Sequence, residues 1–149
     1  ISKSFGVPGV RLGVLASGDR SLVSRIKKDV SIWNINSFAE FFLQIYSKYD
    51  RDYRNAAAKF VLERERFREE LAAVPFLTVY DSQANYFLCR LTGGITSSEL
   101  ARILLCEHDI LVKDCSTKKG FEERNYIRIA IRNREDNSKL VKALLSVSR

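Results

Sequence analysis

The segment Tyr126-Ile127-Arg128-Ile129-Ala130-Ile131-Arg132 leaves this chain little freedom. Successive side chains of a strand point to opposite faces, so Ile127, Ile129 and Ile131 share one face. Tyr126, Arg128, Ala130 and Arg132 share the other. The isoleucine face demands a covering layer, while two arginines in register make a floor for water or for a carboxylate or phosphate. The preceding sequence supplies partners. Residues 76–80 and 86–91 read as strands on β-branched and aromatic content, joined by the polar stretch 81–85. After Gly93-Gly94, Thr96 and Glu99 form a capping box opening a helix that buries Leu100, Ile103, Leu104 and Cys106. Residues 110–113 read as a third strand and 114–125 as a charged loop bent at Gly120. Asn133 caps a last helix burying Leu140, Val141, Leu144 and Leu145. The order β-β-α-β-loop-β-α implies an α+β layer, a mostly antiparallel sheet covered by helices.

Upstream, Asp50 or Asp52 starts a long helix to about Ala73, which Pro75 prevents from continuing. Its inner stripe is Tyr53, Ala57, Phe60, Phe67 and Leu71, interrupted by Arg64, and its outer face alternates charge. Before it, Ser37-Phe38-Ala39-Glu40 reads as a capping box for a helix with Phe38, Phe42, Ile45 and Tyr49 inside. Asp19 caps a helix over 20–28 with Leu22, Val23 and Ile26 on one face. Residues 30–36 are an extended linker, and 11–16 a short strand.

The first thirteen residues, Ile1-Ser2-Lys3-Ser4-Phe5-Gly6-Val7-Pro8-Gly9-Val10-Arg11-Leu12-Gly13, carry the chemistry. A lysine that forms a Schiff base needs room for a planar group against the backbone, and small neighbours and glycines provide it. Pro8-Gly9 reads as a turn that brings Arg11 back towards Lys3. A planar guanidinium there suits a phosphate. The +7 net charge of the 149 residues raises the question of nucleic acid, yet its cations are interleaved with acids, as in Arg64-Glu65-Arg66. That pattern reads as a solvated helix face. Cys89, Cys106 and Cys115 have no metal-ligand spacing, and their odd count fits a reducing cytoplasm rather than a disulfide framework. Cys89 and Cys106 read as core and Cys115 as exposed. His108 ends the helix before the third strand and suits its dipole. No metal cluster and no Ser-His-Asp set can be built. No apolar run is long enough to span a membrane.

The string Ser-Lys-Ser-Phe-Gly-Val-Pro-Gly-Val-Arg-Leu-Gly resembles the cofactor-lysine segment of the class I/II aminotransferases, fold-type I enzymes that use pyridoxal 5′-phosphate (PLP). It is most similar to the branch of histidinol-phosphate aminotransferase and threonine-phosphate decarboxylase. Trp33-Asn34-Ile35-Asn36-Ser37 and Tyr126-Ile127-Arg128-Ile129-Ala130-Ile131 look like further motifs of that branch, with Ile32 where a proline is common. The resemblance implies that Lys3 carries the cofactor as a Schiff base and later moves a proton at the substrate Cα, that Arg11 holds its phosphate, and that Ser2 is a further cofactor contact. It also implies that Arg128 grips the substrate carboxylate. Arg132, where the aminotransferases usually have glycine, is the second substrate-side residue and leans towards the decarboxylases. The implied architecture is α/β (α+β): 1–36 end a large PLP-binding domain, 37–74 are linking helices, and 75–149 form a small C-terminal domain.

A chain that begins inside a motif, with no Met, is expected to be the C-terminal fragment of a longer, cytoplasmic, homodimeric enzyme and to lack turnover alone. The parent is expected to act on a small amino acid, with no nucleic-acid or membrane partner. Transamination is the first expectation and decarboxylation of phosphothreonine or phosphoserine the alternative. A non-catalytic basic α+β module for binding or assembly is the alternative of another class.

Overall fold

The computed structural model describes residues 1–121 and 125–147, so the loop residues Glu122, Glu123 and Arg124 lie outside the described residues. The chain divides into two compact units, Ile1–Ala57 and Ala58–Arg149.

In the first unit a 3-10 turn, Pro8–Val10, is followed by helices α1 (Arg20–Asp29) and α2 (Ser37–Tyr46) and by the first turns of α3 (Asp50–Ala72). The side chain of Asp19 caps α1 by accepting from the Leu22 N–H at 3.0 Å. The expected strand over 11–16 does not form: Arg11 adopts left-handed φ/ψ and residues 12–17 are irregular. A lone strand leaves its backbone groups without a ladder, and among the described residues none pairs with this segment. Helix α2 starts one residue earlier than a Ser37 cap would place it. Asn36 is the N-cap, its Oδ1 accepting from the Ala39 N–H at 2.9 Å, and Ser37 is already helical. Its covered stripe is Ala39, Phe42, Ile45 and Tyr46; Phe38, at 78% exposure, and Tyr49 face outward.

The second unit is a four-stranded antiparallel sheet in the order β1-β2-β4-β3, with β1 Leu77–Val79, β2 Tyr86–Leu91, β3 Lys113–Asp114 and β4 Tyr126–Ala130. Strand β4 pairs with β2 along its whole length, Tyr86 opposite Ala130 through Arg90 opposite Tyr126. Its isoleucines are the core: Ile127 and Ile129 are essentially sealed and Ile131 nearly so. Over them pack Phe67 and Leu71 of α3, Leu100 and Leu104 of α4 (Ser97–His108), and Leu140 and Leu144 of α5 (Arg134–Val147). Each large side chain so buried contributes about 1.5–3 kcal/mol. Thr96 caps α4 through the Glu99 N–H at 3.1 Å, and Asn133 caps α5 through the Asp136 N–H at 2.8 Å. Arg64 lies within the inner stripe of α3 with its side chain largely covered.

Five expectations are corrected here. The third strand is Lys113–Asp114 rather than 110–113. Helix α4 closes on Asp109 in the left-handed region, and the Ile110 N–H donates back to the Leu104 carbonyl. The chain therefore enters the sheet late, and a cavity of about 300 Å³, with Leu111, Val112, Ala130 and Leu140 in its wall, opens where the ladder would have continued. Arg132 lies beyond the end of β4. Cys106, two residues past the buried Leu104 and so about 200° around the helix, is exposed. Cys115, whose N–H donates to the Tyr126 carbonyl, is buried. Leu145 is likewise partly outside the core, at 42% exposure.

A polar clamp ends β4. The buried Asn137 accepts from the Arg132 N–H at 2.9 Å, donates to the Arg132 carbonyl at 3.0 Å, and donates to Glu63 on α3 at 2.7 Å. Glu63 also takes a two-pronged contact from Arg66, at 2.9 and 2.6 Å, and this bonding holds its carboxyl below the ordinary value. Replacing Asn137 with Ala removes three hydrogen bonds and strands buried partners, so denaturant unfolding should show a loss of about 2–4 kcal/mol.

Candidate functional site

The lysine segment is a closed loop. The Ile1 amino nitrogen donates to the Leu12 carbonyl at 3.1 Å, and the Phe5 N–H donates to the Ile1 carbonyl at 3.0 Å. Lys3 lies exposed between these ties, with the half-buried Ser2 beside it. Gly6 sits at φ +66°, a conformation that turns the chain sharply and that side-chain-bearing residues rarely adopt. The Phe5 ring anchors the loop: its centroid is 4.6 Å from Tyr53, 5.1 Å from Tyr46 and 5.9 Å from Phe42. The Tyr46 hydroxyl donates to Asp50 at 3.3 Å; burial, then the Asp50 charge, raises its pKa. Arg11 follows the 3-10 turn at φ 55°, and its guanidinium donates to the Pro8 carbonyl at 3.3 Å. Among the described residues no carboxylate pairs with Lys3 or Arg11. The loop is open on its glycine side, since a Cβ placed on Gly6, Gly9 or Gly13 would meet nothing within 4 Å. A free primary amine and a guanidinium on an open, glycine-rich loop suit an aldehyde that also carries a phosphate.

In the second unit, Arg128 stands exposed at the middle of β4, with Leu88 of β2 on one side and Lys113 of β3 on the other. Its guanidinium lies 5.0 Å from the centroid of the Tyr86 ring, a cation–π contact that braces it. Tyr126, on the same face, is buried beneath Phe121 at 5.0 Å and Tyr80 at 6.0 Å. Arg132 takes a different setting, its Nε donating to Asp136 at 2.7 Å. Lys113 is the last residue of the expected third strand, 110–113. Only the register of β3, which the short ladder sets, makes it the direct neighbour of Arg128.

Asp114, next in the chain, points the other way and fastens β3 to α4. It accepts from the Ser98 hydroxyl at 2.6 Å, the Ser116 hydroxyl at 2.8 Å and the Ser116 N–H at 2.9 Å. Burial alone would raise its pKa; these hydrogen bonds outweigh burial and hold the carboxyl far below its ordinary 3.8. The buried Ser97 hydroxyl adds to that pull without a hydrogen bond of normal geometry. His108 lies in the last turn of α4, with Nε2 3.4 Å from the Ser146 hydroxyl. Burial pushes the Cys89 thiol up to about 12, so it stays an inert thiol. Among the described residues no group of His, Cys, Asp and Glu could hold a metal ion, and no helix is long and apolar enough to cross a membrane.

The first unit thus offers an amine and a guanidinium on one loop, and the second a braced arginine on its sheet. Comparison with known proteins gives the family. The family profile "Aminotransferase class I and II" matches residues 1–144. The L-serine phosphate decarboxylase of Sulfurospirillum multivorans is 35% identical over 149 residues, covering 99% of this chain and 38% of that protein. The CMP-5'-(3-aminopropyl)phosphonate synthase of Streptomyces rubellomurinus is 35% identical over 147 residues, covering 99% of this chain and 23% of that protein. The crystal structure of the histidinol-phosphate aminotransferase from Clostridium acetobutylicum superposes with a TM-score of 0.83 at 34% identity, covering 97% of this chain and 42% of that one. The chain belongs to the class I and II aminotransferase family, whose members use pyridoxal 5′-phosphate. It spans less than two fifths of the length of either curated relative.

Because the folded Asp114 binds its proton less readily than the unfolded one, it stabilises the fold above about pH 5 and loses that contribution progressively as pH falls through the carboxylate range. Denaturant unfolding followed by circular dichroism should therefore show stability falling as pH drops below about 5, and Asp114→Asn should be less stable than wild type at neutral pH with a flatter dependence in that range.

Proposed function

We propose that this chain is the C-terminal part of a PLP enzyme acting on an amino acid that bears a phosphate, with decarboxylation as the reaction. Residues 1–36 then end the cofactor-binding domain, 37–74 link, and 75–149 form the small domain. The observation that carries the substrate class is Lys113 directly opposite Arg128 on the open sheet face. Two adjacent cations suit a substrate with two anionic groups, Arg128 taking the carboxylate in a forked contact and Lys113 meeting the phosphate as a point charge. The substrates in the names of two of these relatives, serine phosphate and histidinol phosphate, share that group.

Lys3 holds the cofactor aldehyde through its amine, with Ser2 beside it, and Arg11 binds the phosphate. The cofactor, when bound, supplies an electron sink for the pair left on the substrate Cα. Lys3, once displaced by the substrate amine, is the group that moves a proton at Cα. Arg128 decides which Cα bond is weakened by fixing the carboxylate, and its stacking on Tyr86 and its place beside Leu88 favour one fixed orientation. Decarboxylation requires such a fixed orientation, because the bond to the carboxylate must be the one aligned with the electron sink. Arg132 serves the substrate side only by leaving Asp136, so its first role in this reading is to steady the strand end.

Transamination is the second reading, favoured by the fit to the histidinol-phosphate aminotransferase. A homodimer is proposed for the full-length protein on the strength of the family resemblance. Incubating that protein with phosphoserine or phosphothreonine separates the reactions: released CO2 without any 2-oxoacid supports decarboxylation, and a strict 2-oxoacid requirement overturns it. Lys3→Ala should abolish the visible absorbance of bound cofactor. Arg128→Ala should raise KM by about 30- to 100-fold, the size expected for losing a charged, forked contact.

A further inference from the structure

Asn36 enters the sequence only as part of the Trp33-to-Ser37 motif, yet its side chain is divided between two jobs. Oδ1 caps α2 by accepting from the Ala39 N–H at 2.9 Å. Nδ2 reaches back 26 residues and donates to the Val10 carbonyl at 2.9 Å. That carbonyl belongs to the peptide plane joining Val10 to Arg11. The other edge of the same plane, the Arg11 N–H, donates to the Pro8 carbonyl at 3.4 Å. The plane is thus gripped on both edges, and beyond it Arg11 sits at φ 55°, ψ 38°. A side-chain-bearing residue stays in this left-handed region only where its surroundings over-determine it, and such outliers gather at binding sites.

We propose that Asn36 is a positioning residue for Arg11: by holding the Val10–Arg11 peptide plane it aims the guanidinium at the phosphate of the cofactor. This rests on the reading of Lys3 and Arg11 as cofactor residues. It ties the start of α2 to the phosphate end of the lysine loop, so the two move as one piece. Aldehyde capture by Lys3 does not depend on this tie, because the Phe5 ring cluster anchors that end of the loop.

The two bonds can be separated chemically. Asn36→Ser keeps a capping oxygen and loses the donor to Val10; Asn36→Ala loses both. The apo form of the full-length protein would be titrated with PLP and, separately, with pyridoxal, which has the aldehyde without the phosphate, while thermal unfolding reports on the fold. Asn36→Ser should bind PLP about tenfold more weakly, the size of one hydrogen bond to an aiming group. Its pyridoxal affinity and melting temperature should match wild type. Unchanged PLP affinity, or equal loss for both aldehydes, overturns the proposal. Arg11→Ala is the companion variant. If it loses the preference for PLP over pyridoxal while Asn36→Ser keeps it, the positioning role fails and the cofactor reading stands. If Arg11→Ala keeps the preference, Arg11 is not the phosphate residue and both fail together.

Discussion

Both backbone polar groups of Arg132 end on one side chain, the carboxamide of Asn137, and that carboxamide is held in turn by Glu63 on α3. Where a strand ends against the core, its last donor and acceptor need partners, because unpaired backbone groups shielded from water are costly. Here one amide takes both, so β4 can end at Ala130 while the chain turns into α5. The same amide tethers α3 across the isoleucine face. The place of Arg128 on the sheet is thereby set from behind: three isoleucines pull its strand inward, and the clamp stops the strand sliding along its length. A one-residue slip would turn Arg128 into the core.

Asparagine recurs at the other chemical end of the chain for the same reason. Asn36 presents a donor and an acceptor in a rigid plane, one for a helix N-terminus and one for a peptide carbonyl. Neither Asn36 nor Asn137 carries chemistry of its own. Each converts a flexible join, loop to helix or strand to helix, into a fixed angle.

Periodicity made most of the second unit readable in advance. The isoleucine alternation of β4, the run of β2, the capping box of α4 and the inner stripe of α3 all arise from local sequence and survive packing. What escaped depends on partners far along the chain. The register of β3 follows from the left-handed exit at Asp109, so neither the shortness of the strand nor the pairing of Lys113 with Arg128 could be read from composition. Cys106 and Cys115 exchanged their expected settings because helix phase and strand register, rather than apolar neighbours, decide burial. The N-cap shifted from Ser37 to Asn36 since both residues can cap, and the one with a donor to spare also satisfies Val10. The shape of the lysine loop was not legible, because no hydrophobic period marks a turn held by a ring cluster and two carbonyls.

Strand β3 is only two residues long, and its hold on the protein comes less from a ladder than from the net of hydroxyls around Asp114. The neighbouring residue on the open face, Lys113, therefore hangs from a fastening that is independent of its own side chain. The cation there can be exchanged for a longer, shorter or neutral group without disturbing the isoleucine core or the arginine strand beside it, because Asp114 and its hydroxyls keep the strand in place.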